Sequence, residues 1–367
     1  MTLKRNVLIP DGDSTWALSV IHCLSQIENY NLFVLSNTKR TASKYSRYTS
    51  YYKFHERPAD DSWVEIINAE IELNKIDVIL PIAEKEITFF IKHKQDIYKN
   101  TKIIPWPKLR DYEIAIDKYR LSNFAKEHEI PHPRSYFISS EIDLENKISG
   151  INFPLLIKPL HQKGGEGIIK VNSEESLIQH LKRAHNGLFI QDYIKGYDID
   201  CSVLCQDGEV LVYTIQKGNL QGDTTFAPQL AFDFLQNEHL LATVKLIMNK
   251  LNWSGIAHLD MRYDEKANNY KLIEINARFW GSIEASKFAG VNFPHLVISL
   301  AMGEELPKID YKSFHYMRLK GVIKTVRRNP LFVFKRSYLL NNTETKTFIK
   351  DPLPTFHRFR DWLVRRF

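Results

Sequence analysis

Three observations predict an α/β protein that opens on a parallel sheet, continues as a mixed strand-and-helix region and closes on a basic extension. Short apolar runs alternate with helical segments up to about residue 104, the pattern of strands connected by crossover helices. A proline-bearing stretch from residue 105 (PWPKLRDYEIAI) changes that rhythm. From Tyr311 onward there are 14 Lys or Arg against three acids, a local excess of 11 in a chain whose net charge is +7, so the preceding 310 residues carry −4.

Residues 5–10 (RNVLIP) read as a buried first strand running into the turn DGDST. Ser14 or Thr15 is then expected to cap a helix through WALSVIHCLSQI. NLFVLS, a helix around WVEIINAEIELN, IDVILPIAEKE and TKIIPW complete the alternation. No GxGxxG follows the first strand, which argues against a nicotinamide site there. Glu84 and Glu86 follow the third strand, at the end where such sheets bind ligands; ordinary helix N-terminal acids are the alternative.

Beyond residue 105 an amphipathic helix is expected near Lys118 to His128, stopped by PHP. INFPLLIKPL then gives a strand carrying Lys158. HQKGGEGIIKV gives a glycine-rich loop with Gly164, Gly165 and Gly167, whose backbone amides can approach a ligand closely. The loop lacks the GK[ST] ending of a P-loop and runs into β-branched residues, so a ligand-free turn remains open. A helix around SEESLIQHLKRA opens on Ser173, and GLFIQDYIKGYDIDCSVLC reads as strand, turn and strand.

Bulk numbers narrow the class. Hydrophobic content of 44% and charged content of 25% are ordinary for a globular protein. No secretory pattern opens the chain, and no uncharged run nears the ~20 residues of a spanning helix. Three cysteines are too few for a disulfide framework and point to a reducing cytoplasm; Cys201 and Cys205, too few for a zinc site, are expected to pack in a core. The scattered histidines, His22 and His55 among them, read as surface or core residues, and no Ser/His/Asp order stands out.

The chemistry concentrates between residues 255 and 282. In YKLIEINARFWGS the apolar neighbours favour a strand, which turns Glu274, Asn276 and Arg278 to one side. Oxygen donors two residues apart suit a hard cation, and an arginine beside them suits a phosphate or carboxylate. GIAHLDMRY places Asp260 in an apolar run, joined to the Glu274 strand by the polar connection DEKANN. A hairpin would set Asp260 opposite Glu274. A carboxylate in such a run needs a partner; a metal supplies one, and Arg262, two residues along the same strand, is the alternative.

The ordered series Lys118, Lys158, GGEG, QDYIKGYDID, HLDMR and EINAR resembles the ATP-grasp superfamily of the carboxylate–amine ligase type, over roughly residues 105 to 305. The α/β unit ahead of it resembles that family's N-terminal domain. The resemblance implies a two-lobed α+β ATP-grasp fold: residues 1–104 a pre-ATP-grasp domain, 105–194 the small lobe and lid, 195–310 the C-terminal lobe, 311–367 the basic extension. It implies ATP as cofactor with Mg2+ (Mn2+ as the alternative), two ions per site, and an acyl phosphate made from a carboxylate for attack by an amine. Lys118 and Lys158 would meet phosphate, under a lid formed by Gly164 to Gly167. Gln191, Asp192, Tyr193 and Ile194 would line adenine, and Asp198 would hold the ribose. Asp260, Glu274 and Asn276 fall on the metal ligands, and Arg278 and Lys158 on the transferred phosphoryl group. Gln191 departs from a common glutamate. His258 stands where several members carry an arginine, and neutral imidazole is no substitute for guanidinium. Glu84, His258, Trp280, Ser282 and the loop at 217–228 are substrate candidates; Trp280 as a core residue is equally open.

The expected partners are a small-molecule carboxylate and amine, with a homodimer left open. In FHRFRDWLVRRF, Phe356, Phe359 and Leu363 recur at helical spacing among arginines. Two readings stand: a helix packed on the body, or a peripheral contact with the inner membrane face. Nucleic acid is not expected, because the body is mildly acidic.

Overall fold

The computed structural model describes residues 4–25, 27, 29–58, 60–148, 151–159, 165–184, 187–224 and 226–364. The chain first builds a five-stranded parallel sheet from β1 (Arg5–Ile9), β2 (Tyr30–Ser36), β3 (Thr49–Phe54), β4 (Val78–Ile79) and β5 (Lys102–Ile103), in the order β3-β2-β1-β4-β5. Val7, Leu8 and Ile9 are all buried, because crossover helices cover both faces of the sheet. These helices are α1 (Ala17–Leu24), α2 (Ser62–Asn74) and α3 (Glu84–Lys92). The expected cap of α1 is absent. The turn begun by Asp11 and Ser14 leads straight into Trp16, which takes the capping position with a helical backbone and no side-chain cap, and the buried Ser14 Oγ has no hydrogen-bond partner among the described residues. The edge strand β3 was not expected; its half-buried TSYYKF lacks a clear apolar face.

Helices α4 (Leu109–Ile116) and α5 (Lys118–Glu127) lead into a four-stranded antiparallel sheet, β6-β9-β7-β8, built from β6 (Ser135–Ile138), β7 (Leu155–Lys158), β8 (Ile169–Val171) and β9 (Leu188–Asp192). Helices α6 (Glu141–Ile148) and α7 (Glu174–Arg183) bury Leu144, Leu177 and Leu181 against it. Ser173 caps α7, its hydroxyl accepting from Ser176 N at 3.3 Å.

The third sheet has six antiparallel strands in the order β14-β13-β10-β11-β12-β15. They are β10 (Gly196–Gln206), β11 (Glu209–Leu220), β12 (Ala231–Leu235), β13 (Gly255–Asp264), β14 (Asn269–Asn276) and β15 (Phe314–Met317). One face packs on α8 (Glu238–Lys250) through Ile199, Cys201, Leu259, Met261, Val244 and Ile247. Truncating such a residue costs about 2–5 kcal/mol. All three cysteines are buried thiols. The other face is polar toward the small lobe. Beyond it α9 (Ile283–Phe288) and α10 (Phe293–Ala301) join α1 in a core shared with the first sheet. The architecture is the expected α/β domain followed by two α+β lobes.

The extension adds β15 to the sheet edge and continues as α11 (Leu319–Arg328), α12 (Arg336–Asn341), α13 (Thr345–Lys350) and α14 (Leu353–Val364). This segment packs on the body along one seam and leaves the other face of α14 exposed. Asp351 is buried and accepts from His22 Nε2 (3.0 Å), Ser46 Oγ (2.5 Å) and Arg47 N (3.1 Å). His22 Nδ1 lies 3.5 Å from Glu284 on α9, so one imidazole ties three parts of the chain. His357 stacks on Tyr45, ring centroids 4.5 Å apart. Among the described residues no helix is long and apolar enough to cross a membrane.

Candidate active site

Adjacent strands place their polar residues in rows on the face turned away from α8. Asp200 on β10 pairs with Asp260 on β13, and Asp260 with Glu274 on β14, so three carboxylates stand abreast. Neighbouring strands are ~4.8 Å apart, within reach of one cation's ligand shell. The next row is Ser202, His258 and Asn276; on the other side Asp198 faces Arg262. A bulge between Asp260 and Met261 brings Met261 opposite Leu272, so Leu272 packs toward α8 while Glu274 faces the site. Strict alternation alone would put both on one face.

The cluster is short of positive charge. Burial raises the Asp260 carboxyl well above its usual range, and Glu274 and Asp200 add to the effect. Burial likewise raises Asp200, while a hydrogen bond from Gln216 opposes it and Asp198 and Glu274 reinforce it. Lys118 Nζ is 3.8 Å from Glu274. It opens α5, whose first amides at Tyr119 and Arg120 are held by Asp117. Lys158, at the end of β7, is 7% exposed; burial lowers its pKa to about 8, opposed by Glu274.

His258 is buried, and burial together with Arg278 lowers its pKa to about 3. The ring is therefore neutral. Nδ1 meets Ser202 Oγ at 2.9 Å, and Nε2 is 3.3 Å from Asp260 and 3.9 Å from Asp200. A neutral ring carries one proton, so either Nδ1 donates to Ser202 Oγ or Ser202 donates to Nδ1 and the proton sits on Nε2, beside the carboxylates. Trp280 lies under this imidazole, parallel within 9°, and is 2% exposed. It fills the core and supports His258 from below, outside the cleft. Ser282 is also buried, accepting from Gln216 Nε2 at 2.9 Å.

Arg278 joins the lobes to the first domain. It donates to Asn276 Oδ1 (2.7 Å), Phe279 O (2.8 Å) and Glu84 Oε1 (3.2 Å). Its guanidinium lies 5.8 Å from the Trp16 ring. Asn276 in turn donates to Asp260 at 3.1 Å. Glu86 points elsewhere: it is buried, accepts from Trp63 at 2.6 Å and pairs with Arg57. The two acids after β4 thus have separate duties.

The other candidates line the gap between lobes. Gln191 is buried and donates to Ser135 Oγ at 3.0 Å. A pocket bounded by Lys118, Ser122, His132, Gln191, Leu272 and Ile273 opens beside it. Asp192 is held by Arg134 at 2.8 Å. The Tyr193 ring lies under Lys170, and Ile194 O accepts from Arg262, which also pairs with Asp198. Gly165 and Gly167 have positive φ, and a Cβ on Gly165 would come within 1.9 Å of Phe226 O. Gly164 lies outside the described residues.

Three groups of this site were missed in the sequence. Asp200 and Gln216 complete the carboxylate row, and Asp200 Oδ, His258 N and Asp260 Oδ atoms all lie within 4.8 Å of one another. The strict alternation in DIDCSV, which puts Asp200 on the same side as Asp198, could have revealed the first. Trp16 is the third, and only the docking of the domains brings it to Arg278.

The site is thus a row of carboxylates beside two lysines and an arginine. Residues 115–322 are similar to ATP-grasp domains. Residues 184–322 match "ATP-grasp in the biosynthetic pathway with Ter operon" and residues 115–230 match the RimK-like ATP-grasp domain. The chain is similar to the carbamoyl phosphate synthase large chain of Thermoanaerobacter sp. (strain X514), 24% identical over 60% of this chain and 21% of that protein. It is similar to the D-alanine–D-alanine ligase of Pseudomonas entomophila (strain L48), 25% identical over 51% of this chain and 64% of that one. It therefore spans less than two thirds of the length of either relative. Among solved structures, N5-carboxyaminoimidazole synthetase from Staphylococcus aureus complexed with ADP shares the fold, with a TM-score of 0.70 and 15% identity over 90% of this chain and 87% of that one.

Proposed function

We propose that this protein is an ATP- and Mg2+-dependent ligase that activates a carboxylate as an acyl phosphate and passes the acyl group to an amine. The observation that carries this reading is the row Asp200–Asp260–Glu274 facing Lys118, Lys158 and Arg278. Such an all-oxygen row with an adjacent amide fits a hard divalent cation, Mg2+ or Mn2+, and crowded carboxylates held above their usual pKa mark a site that a cation would relieve. Asp260 and Glu274, with Asp200 and Asn276 beside them, would hold one or two such ions. Bound there, the metal screens the phosphate oxygens during transfer.

The chain's own groups do the rest. Lys118 and Lys158 neutralise the phosphates; burial lowers the Lys158 pKa only to about 8, so its ammonium is in place at neutral pH and an arriving anion offsets the cost of burying it. Arg278, fixed by Glu84 and Asn276, presents its charge where a carboxylate attacks phosphorus. In that step a carboxylate oxygen bonds to the γ-phosphorus as the bond to the bridging oxygen breaks and ADP leaves. The amine then attacks the acyl carbon, loses a proton, and phosphate departs. The loop at Gly165, seated against Phe226, excludes water that would hydrolyse the intermediate. Gln191 and Ile194 suit the base, and Asp198 the ribose. Substrate contacts fall to Glu84, Trp16 and His258, whose neutral ring adds no charge.

The test is ADP release with ATP and Mg2+ across pooled carboxylates and amines. ADP formation should require a carboxylate and disappear in Asp260→Ala and Glu274→Ala. Turnover at the native rate in those variants would overturn the assignment.

A further inference from the structure

We propose that the C-terminal extension docks on an anionic lipid surface through the outward face of α14. The helix is seated on the first domain by Pro354 and His357, both buried. At about 100° per residue, Phe359 lies opposite that seam, with Phe356 and Trp362 about 60° to either side. The side chains turned to solvent are therefore aromatic: Phe356 is 59% and Phe359 58% exposed. Phe356 meets Phe348 of α13 at 6.1 Å, and Ile349 beside it is exposed, so the apolar surface continues onto the preceding helix. Lys346, Lys350 and Arg360 on the same two helices are exposed around it.

Aromatic rings framed by lysine and arginine match the boundary between headgroups and acyl chains, where rings insert and cations meet phosphate. Nothing in the nucleotide chemistry calls for this surface: both family matches end at or before residue 322. A second copy of the chain is a poor occupant, because residues 311–367 carry an excess of 11 positive charges that would face their own kind. With 12 residues, α14 is too short to cross a bilayer and lies along its surface. The contact is independent of the ligase reaction.

The test is sedimentation of the full chain with phosphatidylcholine vesicles, with and without phosphatidylglycerol. The protein should pellet with the anionic vesicles and be released as salt rises. Phe356→Ser with Phe359→Ser should weaken binding tenfold or more, as should Lys346→Glu with Lys350→Glu, while melting temperature and ATP affinity hold. Absence of binding to anionic vesicles, or variants that bind like the native chain, overturns the proposal. So does a lipid-free dimer that the phenylalanine changes abolish, which would assign the face to a second copy.

Discussion

Replacing Lys158 with methionine should stabilise the ligand-free protein while weakening its grip on ATP. The ammonium is buried at the end of β7, and that burial lowers its pKa from 10.5 to about 8, with Glu274 opposing and Lys118 reinforcing the effect. The folded pKa lies below the unfolded one, so folding disfavours the charged form. The resulting cost is complete below pH 8, shrinks as pH rises from 8 to 10.5, and vanishes above. A fall from 10.5 to about 8 corresponds to about 3 kcal/mol at pH 7. Methionine keeps the unbranched stem and removes the charge. Urea unfolding at pH 7 should show Lys158→Met more stable by up to that amount, with the advantage much reduced at pH 9.5. ATP affinity should fall about 10- to 100-fold, the worth of a charged hydrogen bond. A variant less stable than the native protein at pH 7, or an advantage that does not change with pH, would refute the reasoning.

His22 runs the other way. Burial alone would lower its pKa, but Glu284 and Asp351 raise it to about 9, so its contribution is full below pH 6.5 and lost as pH rises through about 9. His22→Gln should cost about 3 kcal/mol at pH 6 in urea unfolding, and much less at pH 9.5. Asp200→Asn should weaken Mn2+ binding about tenfold by electron paramagnetic resonance; unchanged affinity would remove Asp200 from the cation site. Gly165→Ala, which cannot keep both φ +79° and the contact with Phe226, should raise the KM for ATP several-fold with the melting temperature unchanged.

The fold class was legible because it follows from periodicity and order. The alternation of apolar strands and helices up to residue 104 fixes a parallel sheet, and the polar connection DEKANN sets the β13–β14 hairpin with Asp260 opposite Glu274. What escaped depends on events that periodicity does not encode. The bulge at Asp260 and Met261 lets Leu272 and Glu274, two residues apart, face opposite ways. Trp280 belongs to the core because Phe293 and the His258 ring close around it. Glu84 and Glu86 look alike in sequence, yet only the first reaches Arg278, a contact created when the first domain meets the C-terminal lobe. The His22–Asp351 tie joins residues at opposite ends of the chain, where local pattern carries no signal. Polar residues evenly spaced on a strand reveal a shared face; which of them meet depends on the neighbouring strand and domain.

The most direct measurement is a crystal structure with Mn2+ and a non-hydrolysable ATP analogue, read by anomalous scattering. The account predicts manganese between Asp260 and Glu274, with the terminal phosphates turned toward Lys118 and Lys158. Anomalous density elsewhere, or a nucleotide whose phosphates avoid those lysines, would contradict it.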